Sequence, residues 1–262
     1  MKLKIYQVDA FTDKIFGGNP AAVCPLQEWL SDDLLQNIAM ENNLSETAFY
    51  VKDGNKYQIR WFTPTVEVDL CGHATFAAAF VLFHQEDHAE QKIKFFSPRS
   101  GQLTVTRQDE LLTLNFPADM VQPVEPSQEI LTAFDLKPKT VYKGKTDYLF
   151  AFKSEEDVKK LNPNLINIAQ LDARGVIATA KGNDVDFVSR FFGPQVGVDE
   201  DPVTGSAHTT LTPFWAKELG KEELTANQLS KRKGYLKCKY ADQRVEISGQ
   251  GRLFMSGKIY LD

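Results

Sequence analysis

R-W-F-T-P-T-V-E-V-D-L-C-G-H-A-T, residues 60–75, is answered by R-F-F-G-P-Q-V-G-V-D-E-D-P-V-T-G-S-A-H, residues 190–208. Arg60 aligns with Arg190, Pro64 with Pro194, Val66 with Val196 and Val68 with Val198 at one constant offset. A three-residue insertion in the second copy then sets a new register, pairing Gly72 with Gly205, Ala74 with Ala207, Gly101 with Gly234 and Leu103 with Leu236. Two copies, each long enough to fold, predict two pseudo-symmetric lobes from an internal duplication, because a solenoid needs three or more repeats. Lobes that face each other leave a cleft, where ligands usually sit.

Outward from this repeat, the elements follow a common plan. Gly72 to Phe83 (G-H-A-T-F-A-A-A-F-V-L-F) is almost wholly apolar, which predicts a helix buried on most sides. Its counterpart, Gly205 to Leu219, contains Pro213, which is expected to kink or interrupt it. Upstream, Leu3 to Val8 reads as a strand, and a loop follows at Gly17 to Pro20. Ser31 is placed to cap a helix with Asp32 and Asp33 in its first turn and Leu34, Leu35, Ile38 and Ala39 on one stripe. Strands at Thr47–Val51 and Tyr57–Phe62 flank the turn Lys52-Asp53-Gly54-Asn55. The expected fold class is therefore α+β, each lobe a buried helix wrapped by antiparallel strands. The Pro-rich stretch Pro117 to Pro126 places the lobes at 1–118 and 119–262, with a terminal strand free to cross from one to the other.

Composition narrows the function. The chain has 262 residues, 42% of them hydrophobic, enough for two domains of ordinary size. A formal charge of -5, with no cationic run longer than Lys231-Arg232-Lys233, excludes the basic footprint that nucleic-acid binding requires. No signal-like apolar segment opens the chain, and no run of about 18 apolar residues predicts a membrane span. Three scattered cysteines, Cys24, Cys71 and Cys238, suit reduced thiols in the cytoplasm, not a disulfide scaffold or a zinc cluster.

The two glycine-led helix starts, D-L-C-G-H-A-T and D-P-V-T-G-S-A-H, carry the candidate chemistry. A helix N-terminus offers unpaired N–H donors and partial positive charge, so the Gly72 and Gly205 backbones and Ser206 are expected to hold an anionic group such as a carboxylate. Titratable or polar side chains crowd the same loops: Cys71 and His73 in one, Asp201, Thr204, Ser206 and His208 in the other. A hydrolase triad from Ser206, His208 and Asp201 is disfavoured, since Ser206 lies in no G-x-S-x-G elbow. His84 and His88 in H-Q-E-D-H lack the glutamate placement of a zinc helix and read as surface histidines.

At these residues the chain resembles the phenazine-biosynthesis isomerase (PhzF-like) family. The resemblance runs nearly end to end through V-D-A-F-T, G-G-N-P-A-A-V, N-L-S-E-T-A-F, D-L-C-G-H-A-T and the long motif from Arg190 to His208. It implies the two-lobed fold shared with diaminopimelate epimerase, a cofactor-independent isomerase without metal, and a homodimer. It also implies that Glu46 moves a proton between two carbons of the substrate while His73, Asp201 and Ser206 assist. Glu46 has independent support: it precedes the apolar strand Thr47-Ala48-Phe49-Tyr50. A carboxylate at the mouth of an apolar cleft is poorly solvated, which suits it to take a proton from carbon and return it elsewhere. The repeat puts Val176 opposite Glu46, so one lobe alone supplies this base.

The nearest alternative is an amino-acid racemase or epimerase. Racemases of this fold resemble one another in using two thiols, one from each glycine-led loop. Here Cys71 stands at one such place and Thr204 at the other, and a threonine hydroxyl is too weak an acid to exchange protons with carbon unaided. A non-catalytic binding protein for small molecules is the remaining alternative. The expected partner in every case is a small carboxylate-bearing metabolite.

Overall fold

The structure, a computed structural model, describes residues 1–261 as a strand-rich, mixed α and β fold. Two compact units divide the chain: Met1–Asn115 together with the stretch from Ser248 onward, and Phe116–Ile247. Among the described residues no helix is long and apolar enough to cross a membrane.

In the first unit β1 (Lys2–Ala10) pairs antiparallel with β2 (Asn19–Leu26), which runs parallel to β3 (Glu46–Asp53) after α1 (Asp32–Asn42). From β3 the order continues antiparallel to β4 (Lys56–Phe62), which pairs antiparallel with the short β5 (Glu67–Val68) and parallel with β6 (Lys92–Ser97). Antiparallel pairings then carry it through β7 (Gly101–Gln108) to β8 (Leu111–Pro117). The sheet is thus mixed, where alternating apolar segments alone suggested antiparallel strands. A parallel step needs a crossover, and each is supplied by a helix: α1 between β2 and β3, and α2 (Gly72–His84) between β4 and β6. Eleven of the thirteen residues of α2 are buried, as its apolar composition on every side predicts.

Local sequence explains the element ends. Gly54 takes φ +61 in the β3–β4 turn, a backbone that side chains resist. Ser31 sits at the N-cap of α1 in an extended conformation, yet its hydroxyl makes no capping bond, so the expected cap is positional only. Serines do cap two short helices of the second unit, α3 (Gln128–Leu131) through Ser127 and α4 (Glu155–Lys160) through Ser154, the latter in a full capping box with Asp157.

The second unit opens with β9 (Gln122–Pro123), inside the stretch expected to be a linker; β9 pairs antiparallel with β10 (Thr140–Lys143). β10 pairs antiparallel with β11 (Asp147–Ala151), which runs parallel to β12 (Gly175–Lys181) after α4 and α5 (Leu165–Gln170). β12 is antiparallel to β13 (Phe187–Gly193), which pairs antiparallel with β14 (Val198–Asp201) and parallel with β15 (Glu223–Gln228), itself antiparallel to β16 (Gly234–Ala241). The long α6 (Gly205–Leu219) fills the β13–β15 crossover. β17 (Arg244–Gly249) follows, and β18 (Gly251–Tyr260) returns to pair antiparallel with β1 of the first unit. A Cβ on Gly251 would meet Phe76 and Phe80 of α2 at 2.9 Å, so a glycine lets this last strand lie against the buried helix.

Pro213 does not interrupt α6, which runs unbroken from Gly205 to Leu219. Proline removes the bond to the carbonyl four residues earlier, and that carbonyl, Thr209, instead accepts the Asp119 N–H at 3.0 Å. Packing from outside the helix therefore supplies the missing donor.

The strand order of the first unit from β2 to β7, parallel, antiparallel, parallel, antiparallel, recurs from β11 to β16. Equivalent arginines bind equivalent acids: Arg60 grips Glu67 at 2.7 and 2.9 Å, and Arg190 grips Glu200 at 2.7 and 3.0 Å. The hairpin partners correct the register read from sequence. Trp61 faces Val68, whereas Phe191 faces Asp201, so Glu67 and Val68 correspond to Glu200 and Asp201 and not to residues 197 and 198. The extra three residues lie earlier, at the 3-10 turn Pro194–Val196.

Candidate functional site

In the first unit the N-L-S-E-T stretch is a helix stop followed by a strand start. Asn43 ends α1 in the left-handed region at φ 49, its N–H on the Ala39 carbonyl, a conformation asparagine tolerates well. Asn42 then ties back to the Thr47 hydroxyl at 3.1 Å, which fixes Glu46 as the first residue of β3, beside Ala21 of β2. The G-G-N-P loop leads directly into that part of β2. Gly18 at φ +61 is required there, because a Cβ would meet the Ala10 carbonyl oxygen at 2.1 Å.

Glu46 meets His73, the second residue of α2, with Oε2 and Nε2 3.1 Å apart. The contact is an ion-pair approach, not an aligned hydrogen bond, and neither atom reaches another polar group. Glu46 keeps 16% of its side chain exposed while His73 keeps 5%, and Oε2, the carboxylate oxygen beside His73, is itself buried. On the far edge of the ring, Nδ1 lies 3.5 Å from the sulfur of Cys71, the N-cap residue of α2.

The charges of this chain follow from burial. Burial disfavours an imidazolium at His73, but Cys71 and Glu46 beside it outweigh that cost and hold the ring well above the ordinary histidine range. Burial, then the Glu46 charge, pushes the Cys71 thiol upward. Cys71, His73 and Glu46 are also the only group of potential metal ligands found among the described residues, their donor atoms within 4.8 Å of one another. The sulfur contacts Nδ1 and the carboxylate approaches Nε2, so the two partners meet different nitrogens of one ring.

In the second unit Asp201 closes β14 and Ser206 is the second residue of α6. The Asp201 carboxylate accepts the Thr204 hydroxyl at 2.6 Å, and the Gln228 amide bonds the Asp201 carbonyl at 2.8 Å and the Thr204 hydroxyl at 3.1 Å. Ser206 accepts from Arg174 Nη1 at 2.8 Å. That arginine is anchored on buried Asp147 through Nε at 3.0 Å and Nη2 at 2.5 Å, and its guanidinium lies over the Phe191 ring. A guanidinium so forked onto a carboxylate is a fixed cation. Neither Arg174 nor Asp147 stands in a motif. The one sequence signal is an arginine immediately before the apolar strand G-V-I-A-T-A. His208 is fully buried with Nδ1 on the Thr204 carbonyl at 2.9 Å, a packing role that keeps it out of any Ser206 triad.

His84 rests against Phe80, and His88 meets the Tyr57 hydroxyl at 3.1 Å, so the pair is divided between separate partners.

Residues 8–257 match the phenazine biosynthesis-like protein family, PhzC-PhzF. The chain belongs to this family. It is 51% identical over 261 residues to an uncharacterized isomerase of Pseudomonas aeruginosa, with all of both chains covered. A crystal structure of a phenazine biosynthesis protein of the PhzF family from Enterococcus faecalis superposes with a TM-score of 0.97 at 47% identity, again over the full length of both. The fold extends to a hydroxyproline epimerase of Agrobacterium vitis, TM-score 0.62 at 9% identity, covering 100% of this chain and 93% of that one. Within the phenazine biosynthesis-like family, this chain's full-length relatives at about half identity are thus named isomerases.

Proposed function

We propose that the protein is a cofactor-independent isomerase that moves a proton between two carbons of a small carboxylate-bearing metabolite, with Glu46 as the general acid–base. The observation that carries this reading is the pairing of the partly exposed Glu46 side chain with buried His73, 3.1 Å apart, in a family whose close relatives are named isomerases. In the forward step the substrate C–H bond breaks, the proton passes to Glu46, and the electron pair delocalises toward the substrate's own unsaturation. Returning the proton to a second carbon completes the isomerisation and restores the carboxylate. His73 lends Glu46 a preorganised partner of high proton affinity, which limits reorganisation during transfer.

Gly72 and the α2 amides, and separately Gly205 and Ser206, join this proposal as groups that hold the anionic substrate, and Asp201 joins it with His73 as a group that assists Glu46, on the strength of motif and repeat. Arg174 strengthens the second set, since a fixed cation hydrogen-bonded to Ser206 is suited to a carboxylate. We also read the matching strand order of the two units as an internal duplication in which one copy keeps the acid–base. Racemisation by Cys71 has weaker support: its thiol is buried, directed at His73 and pushed away from ionisation, and the equivalent Thr204 carries no thiol.

The test is proton NMR of a panel of unsaturated and amino carboxylates incubated with the full-length protein. The proposal expects double-bond migration in at least one unsaturated carboxylate and its loss in Glu46→Gln. Turnover restricted to inversion at an amino acid's alpha carbon, dependent on Cys71, overturns it.

A further inference from the structure

We propose that Cys71 is the positioning residue for His73, its thiol serving as a reversible partner that accepts from Nδ1–H when the ring is an imidazolium and donates to Nδ1 when it is neutral. This inference rests on the acid–base role given to Glu46 but can be measured without it.

Geometry is the first argument. The Cys71 sulfur lies 3.5 Å from Nδ1, within reach for a sulfur hydrogen bond, while Nε2 of the same ring faces Glu46. The Cys71 contact is the one hydrogen-bond-range contact of this ring, so it is what sets the ring's orientation and keeps Nε2 beside the carboxylate. A ring that changes charge while buried needs at Nδ1 a group able both to donate and to accept, and a thiol does both. An aliphatic side chain there would leave a buried charged N–H unpaired, which is among the more costly polar defects.

The second unit supplies an independent argument. Thr204 occupies the equivalent N-cap of α6 in the same extended conformation, and Ser206 stands where His73 does. Without a histidine to serve, Thr204 sends its hydroxyl to Asp201. A cysteine chosen only to fill space would show no such directional contact. The other carbonyl contacts are the same in both copies: Thr75 bonds the Cys71 carbonyl at 2.5 Å and His208 the Thr204 carbonyl at 2.9 Å.

The titratable groups around His73 are few. Glu46 faces it from β3 and Cys71 from its own N-cap. Of the other strands packed on α2, β1 brings Asp9, whose carboxylate accepts the Phe16 N–H at 2.9 Å, and β2 brings Cys24, buried in a separate apolar cluster with its thiol pushed up to about 12.

The proposal requires no proton transfer through sulfur and no oxidant; only the S–H and N–H hydrogen bonds reorient. Its test is a 15N NMR titration of histidine-labelled full-length protein, with the His73 ring assigned among the four histidines by His73→Gln. Cys71→Ala is expected to lower the proton affinity of His73 about tenfold and to abolish its slowly exchanging Nδ1–H signal; Cys71→Ser is expected to stay within about threefold of wild type. Wild-type titration in Cys71→Ala overturns the proposal. So does an equal fall in both variants, with folding verified by thermal melting, because the thiol would then act by packing alone. Since no turnover is measured, loss of the isomerase reading would leave this result standing, and the reverse.

Discussion

At the start of α2 the N-cap Cys71 turns its side chain to His73, and His73 turns to Glu46; at the start of α6 the N-cap Thr204 turns to Asp201, and Ser206 receives Arg174. Both starts share an extended N-cap, a following glycine and a side chain four residues on that ties the N-cap carbonyl. One start gathers three titratable groups, Cys71, His73 and Glu46; the other presents hydrogen-bond donors and a permanently charged guanidinium. The lesson is that a common backbone fixes where polar groups converge, while a few substitutions decide whether the convergence handles protons or anions.

The contrast is broken most directly at Glu46. Glu46→Gln keeps the size of the side chain and removes the base, and is expected to lower kcat by about 10²–10⁴-fold with KM little changed. Ser206→Ala is expected to do the reverse, raising KM about tenfold or more with kcat nearly intact, since a hydrogen bond to a charged group is worth about 1.5–3 kcal/mol. Steady-state kinetics on the same substrate checks both, and equal effects on kcat from the two would erase the distinction.

Next in size is the Arg174 anchor. Arg174→Met strands Asp147, which is 1% exposed, and is expected to cost about 3 kcal/mol in chemical denaturation. The double variant Arg174→Met/Asp147→Leu should recover most of that stability yet keep the raised KM. Recovery of both together would make the arginine purely structural.

The two histidines give the comparison a pH signature of opposite sign. Burial pushes His208 down to about 4 from 6.5, so its contribution to stability is present above about 6.5 and is lost as pH falls through about 4, a loss of about 3 kcal/mol. His73 is raised, so its contribution is present below about 6.5 and is lost as pH rises through its higher folded value. Denaturation across pH should therefore flatten on the acid side in His208→Thr, which retains the hydroxyl-to-carbonyl bond seen at Thr75, and on the alkaline side in His73→Gln. The smallest effect separates two serines: Ser154→Ala should cost about 1 kcal/mol by losing a capping box, and Ser31→Ala well below that, because its hydroxyl caps nothing.

How much of this the sequence disclosed depends on where the information lies. The apolar run at Gly72–Phe83 can only be satisfied by burial, so α2 was legible, whereas Glu46 was singled out by the resemblance and by the apolar strand that follows it. Pro213 misled because the donor that replaces its lost bond, Asp119 N–H, is remote in sequence. The register of the repeat slipped for a similar reason: identical valines at 66 and 196 outweighed a three-residue turn that only the strand pairing reveals. Arg174 and Asp147 meet across 27 positions in segments without any motif, so no local pattern announced them.

The central claim, a single carboxylate moving the proton, is tested most directly by solvent deuterium incorporation. Small carboxylates are incubated in deuterated water with wild type, Glu46→Gln and Cys71→Ala, and the site of label is read by NMR. The account predicts label at an isomerised carbon that disappears in Glu46→Gln and persists, at a changed rate, in Cys71→Ala. Label that survives Glu46→Gln and disappears in Cys71→Ala would contradict it.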